Sequence, residues 1–71
     1  MNESKYEVIV YWDKVDETFV AEVPELPGCM AHGETKALAM QHTETAIELW
    51  LETAREDGIA IPEPRGRLLY A

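Results

Sequence analysis

Few side chains in this 71-residue chain could do chemistry: two histidines, one cysteine, one serine and fourteen carboxylates. A nucleophilic Cys or Ser needs a base within reach. Ser4 stands in a polar opening stretch far from either histidine, and Cys29 and His32 are three apart, on opposite faces of any strand. A reactive thiol also needs a lowered pKa, yet the nearest charges to Cys29 in sequence are the acidic Glu25 and Glu34. Cys29 therefore reads as a small buried apolar residue. With a single cysteine and no His-x-x-x-His pair, neither an internal disulfide nor a zinc site is expected.

The carboxylates are numerous but do not converge. Asp13 ends a strand pattern, while Glu44, Glu48 and Glu52 recur at helical spacing on the side opposite Trp50, where charges stay hydrated. A two-metal nuclease would need several of them around one point. Gly28 and Gly33 are isolated, and no lysine follows at phosphate-loop spacing. The residues thus predict no catalytic site, no metal and no cofactor.

Charge narrows the partners. A net charge of −8 opposes phosphate contacts, so direct nucleic-acid binding is not expected, whereas a basic protein suits the field. The start, Met1-Asn2-Glu3-Ser4-Lys5, has no apolar leader core, and no apolar run approaches the ~20 residues of a membrane span. With the lone cysteine, this points to the cytosol and no membrane.

The elements that must position these residues are legible from periodicity. Tyr6 to Trp12 alternates, with Tyr6, Val8, Val10 and Trp12 on one face and Glu7, Ile9 and Tyr11 on the other. This predicts a strand whose second face carries two apolar residues, an early sign of an interface. Asp13-Lys14-Val15-Asp16-Glu17 reads as a hairpin loop. Thr18 to Val23 reads as a second strand, with Phe19, Ala21 and Val23 inward and Val20 and Glu22 outward.

In Pro24-Glu25-Leu26-Pro27-Gly28, two prolines fix φ and remove donors, and the glycine supplies a corner. A short strand, Cys29 to His32, follows, and Gly33 offers a second corner with positive φ. Thr35 is placed to cap a helix over Lys36 to Asp57. Its apolar stripe is Ala39, Thr43, Ala46, Ile47, Trp50 and Ala54, with Leu38 and Leu49 on one shoulder and Met40 and Leu51 on the other. Gly58 suits a left-handed C-cap, and Pro62 and Pro64 bar continuation. Ile59 and Ile61 are expected to fold back onto the core, Arg65-Gly66-Arg67 to turn, and Leu68-Leu69-Tyr70 to form a short closing strand. The prediction is one α+β domain over residues 1–71, a three-stranded antiparallel meander packed on one long helix. About 60% of the unfolded surface of so small a chain can be buried.

The segments Pro24-Glu25-Leu26-Pro27-Gly28-Cys29, Gly33-Glu34-Thr35, Ala46-Ile47-Glu48-Leu49-Trp50-Leu51 and Gly58-Ile59-Ala60-Ile61-Pro62-Glu63-Pro64 together resemble the HicB antitoxin family, from about Tyr6 to Pro64. The resemblance implies a β-β-β-α-β domain of partial ribonuclease-H-like type. It also implies neutralisation of a HicA-like toxin, a small basic messenger-RNA-cleaving protein whose active site the antitoxin blocks. Family members usually carry acidic residues in the first helical turn. Here Lys36-Ala37-Leu38 stands instead, which weakens the helix start by about half a kcal/mol. Many members continue into a DNA-binding domain, so operator binding by these 71 residues is not expected.

Three readings follow. The first is an antitoxin that covers a toxin with Ile9, Tyr11, Asp13, Asp16, Glu17, Glu22 and Glu25. The second is a degenerate ribonuclease-H-like nuclease, and the third an orphan oligomeric regulator or scaffold without a toxin. The two-faced first strand and thin core favour self-association in all three.

Overall fold

The computed structural model of the chain describes residues 5–65. The predicted turn through Gly66 and Arg67 and the closing strand at Leu68 to Tyr70 lie outside them. Strand β1 (Ile9–Asp13), strand β2 (Thr18–Glu22) and strand β3 (Met30–Gly33) precede helix α1 (Lys36–Asp57). The strands form an antiparallel sheet in the order β1-β2-β3, with the helix packed across it. This is the predicted α+β arrangement.

Strand limits move by a few residues. β1 begins at Ile9 rather than Tyr6 and takes in Asp13, β2 ends at Glu22, and β3 runs from Met30 to Gly33. Asp13 sets the hairpin: its Oδ1 accepts from the backbone N–H of Val15 (2.9 Å) and of Asp16 (3.3 Å). Such local bonds let an aspartate start a turn. Glu17 closes the turn at φ 53°, a conformation that costs a non-glycine residue about 1 kcal/mol. Trp12 and Phe19 are paired in register, and their rings meet edge to face at 5.0 Å.

Val20 corrects a simple alternation argument. It lies on the sheet face away from Ala21, as expected of an outward residue, yet is only 1% exposed. On the middle strand it stands in register between Tyr11 and His32, and flanking side chains close over a central position.

The corner after β2 builds the main core. Val23 N–H donates to Cys29 O (3.0 Å), Leu26 N–H to Val23 O (3.1 Å) and Cys29 N–H to Leu26 O (2.9 Å). Gly28 takes φ 79°, in the left-handed region that its sequence position anticipated. This closed loop drives Leu26 fully inside, where it clusters with Val23, Cys29 and Ile47, with Tyr6, Val8, Ala46, Trp50 and Leu51 packed against them.

The helix has the predicted bounds. Thr35 accepts from Leu38 N–H at 3.0 Å, no acid occupies the first turn, and Gly58 caps the end at φ 71°. Ala39, Thr43, Ile47 and Ala54 are its buried residues, and the Thr43 hydroxyl reaches Ala21 O at 3.5 Å. Ile59 and Ile61 do not fold back onto the core. Both are exposed, although the segment stays tied to the body of the fold: Ile59 N–H donates to Ala54 O, and Tyr6 OH donates to Pro62 O.

Gly33 is the second correction. Its φ is not positive; what it needs is the missing side chain. A Cβ there would lie 2.3 Å from Ala39 N and 2.7 Å from the Leu38 carbonyl carbon, both backbone atoms that cannot swing aside. Gly33→Ala should therefore cost about 3 kcal/mol or more, and Leu26→Ala about 2–5 kcal/mol for the cavity left. Urea denaturation followed by circular dichroism checks both, and a Gly33→Ala variant as stable as the parent would refute the close-approach account.

Candidate partner-binding surface

The helix lies mainly over β3, less over β2 and least over β1. This sideways placement leaves the helix-facing side of the first strand thinly covered. Ile9 and Tyr11 are exposed on the open face, as the alternation predicted, and Trp12 is 50% exposed on the helix face where cover runs out.

Four of the seven residues proposed from sequence share the open face. Ile9 pairs with Glu22, Tyr11 with Val20, and Asp13 with Thr18. Tyr11 OH donates to Glu22 Oε2. That bond, then burial, and then the charges of Glu22 and Asp13 hold the Tyr11 phenol above its usual pKa, so it stays a neutral donor beside two carboxylates. Asp16 and Glu17 stand in the hairpin turn at the Asp13 end. Between them and Asp13, Val15 is 90% exposed.

Glu25 lies apart, beyond the other end of β2. Its Oε2 accepts from Arg65 N–H at 3.0 Å, while Oε1 is buried with no hydrogen-bond partner among the described residues. Burial first, then the charges of Glu25 and Glu63, raise the pKa of Tyr6. Glu25 thus holds the segment after the helix and does not join the open face.

Met30, His32, Val15 and Trp12 are exposed as well, outside the set expected from sequence. Met30 and His32 complete the open face through their pairing with Glu22 and Val20. The register of β3 could have found them. Trp12 carries no local signal, since only the helix position exposes it.

The residues first considered for chemistry stay apart. Cys29 is buried and His32 exposed; burial pushes the Cys29 thiol above its usual pKa. His42 Nδ1 lies 2.7 Å from His32 O, and because a carbonyl only accepts, Nδ1 carries the proton. Glu48 and Glu52 are exposed and Glu44 half-buried. Among the described residues, no three of His, Cys, Asp or Glu group so as to hold a metal ion, and no helix is long and apolar enough to cross a membrane.

The comparisons agree with one another. A family model described as the HicB-like antitoxin of bacterial toxin–antitoxin systems matches residues 6–67. The chain belongs to the HicB-like antitoxin family. It is 37% identical to a UPF0150 protein of Synechocystis over 57 residues, 80% of this chain and 77% of that one. It is 38% identical to a UPF0150 protein of Thermoplasma acidophilum over 58 residues, covering 82% and 83%. An uncharacterised 14.9 kDa protein of Haemophilus phage HP1 is 35% identical over 51 residues, 72% of this chain and 38% of its own length. No solved structure gives a significant match. HicB-like membership supports an antitoxin role, which carries with it a toxin as partner.

Burial of Cys29 gives a direct check on the corner. At neutral pH the native thiol should react with Ellman's reagent at least about tenfold more slowly than in the urea-unfolded chain, because both access and thiolate fraction are reduced. Equal rates would mean that the Val23–Cys29 loop is open.

Proposed function

We propose that this chain acts as a cytosolic antitoxin that binds a small basic HicA-like ribonuclease and blocks its active site, with no reaction of its own. The observation that carries this reading is the open face of β1 and β2. There Ile9 and Tyr11 lie beside Asp13 and Glu22, with Asp16 and Glu17 in the adjoining turn. The apolar pair supplies burial at the centre of a contact, and the carboxylates draw in and orient a cationic partner. The net charge of −8 favours the same encounter over its whole approach. Glu25 is a weaker member of this set, since it holds Arg65.

Co-expression with a HicA-like protein encoded beside this gene tests the proposal. Growth arrest by that protein should be relieved, and the two chains should co-purify, less well as salt is raised. Asp13→Lys together with Glu22→Lys should weaken the complex by about 100-fold, the scale of two lost charge contacts. Arrest that persists while the unmodified chain is present and soluble would overturn the antitoxin reading. Relief that survives the double substitution would overturn only the surface.

A further inference from the structure

On the open face, Glu22 stands on the middle strand in register with Ile9 on one side and Met30 on the other, both exposed. A carboxylate flanked by two apolar side chains is less fully surrounded by water than one on a loop, so its pull on a cation is less screened. Among the described residues it bonds only the Tyr11 hydroxyl, through Oε2, which leaves Oε1 for an incoming donor. Tyr11 starts opposite Val20, two residues along β2 from Glu22, so its ring leans along the strand to make that bond. One side of the ring then lies over Val20, which is 1% exposed, and the other faces water. The same bond raises the phenol pKa, so the donor keeps its proton at neutral pH.

We propose that Tyr11 and Glu22 form a seat for an arginine side chain of the bound protein, its guanidinium stacked on the Tyr11 ring and donating to Glu22 Oε1. This rests on the toxin-binding reading only for which protein supplies the arginine. Charge alone would accept a lysine equally; the ring decides between them. A guanidinium is planar and weakly hydrated, so it can lie on an aromatic face and still point N–H groups at a carboxylate beside it. An ammonium is compact and keeps more of its water. Holding Glu22 through Tyr11 also removes rotamer freedom that binding would otherwise have to freeze. The other exposed apolar surface lacks this pairing. It is an open groove of about 530 Å³ between the Pro27–Met30 corner and the C-terminal half of α1. Trp50 stands in its wall, but no charged residue lines it.

Labelled hexa-arginine and hexa-lysine peptides, compared by fluorescence anisotropy at low salt, test the seat without any toxin. Both feel the net charge of −8, so the ratio of their affinities is what reads the ring. The chain should bind hexa-arginine at least about fivefold more tightly, the scale of one exposed cation–π contact. Tyr11→Leu should bring the ratio close to one, with an unchanged circular dichroism spectrum. Glu22→Gln, which keeps the shape of the side chain, should weaken the arginine peptide more than the lysine peptide. Glu52→Gln, which removes the same charge from the exposed side of α1, should weaken both alike. Equal binding of the two peptides by the parent chain would overturn the proposal. So would a preference that survives Tyr11→Leu, or one that Glu52→Gln abolishes as fully as Glu22→Gln. Growth arrest left unrelieved by the chain bears on the toxin and not on this ratio.

Discussion

The contact that the rest of this structure depends on is the approach of the α1 backbone to Gly33. No side chain fits between them, since a Cβ on Gly33 would sit inside the backbone of Leu38 and Ala39. That contact fixes the start of the helix against the end of β3. A rigid helix of 22 residues then has little freedom in where its length can lie. It covers β3 and part of β2 and leaves β1 thinly covered. The exposure of Trp12 on the helix face follows from this lateral choice.

The loop from Val23 to Cys29 supplies the other half of the constraint. Three backbone hydrogen bonds of 2.9–3.1 Å close it while Leu26 is carried fully into the core. From the helix, Ile47 joins this loop in the core, with Ala46, Trp50 and Leu51 packed against them. The same loop ends in the wall of the groove, with Pro27 O holding Trp50 in place. Core and surface on this side are therefore one piece of architecture.

Two surfaces of different chemistry result. The open face of β1 and β2 mixes aromatic and aliphatic groups with carboxylates, and its Tyr11 phenol is locked to Glu22. The groove beside α1 is apolar and uncharged.

Much of this was written in local patterns. Alternation marked the strands to within a few residues, and the open-face exposure of Ile9 and Tyr11 followed from it. Thr35, Gly58 and the 3.6-residue stripe marked the helix from Lys36 to Asp57, because caps and amphipathic period act between near neighbours. The combination of the proline corner with the segments around it marked the family. Other features depended on distance in space. Val20 is buried because its strand became the middle one, and Gly33 matters for the backbone it touches rather than for its own φ. Glu25 stands apart from the open face and holds Arg65, forty residues away, and Ile59 and Ile61 stayed exposed. Local periodicity sets which residues share a face. Only the packing of one element on another decides which faces are covered.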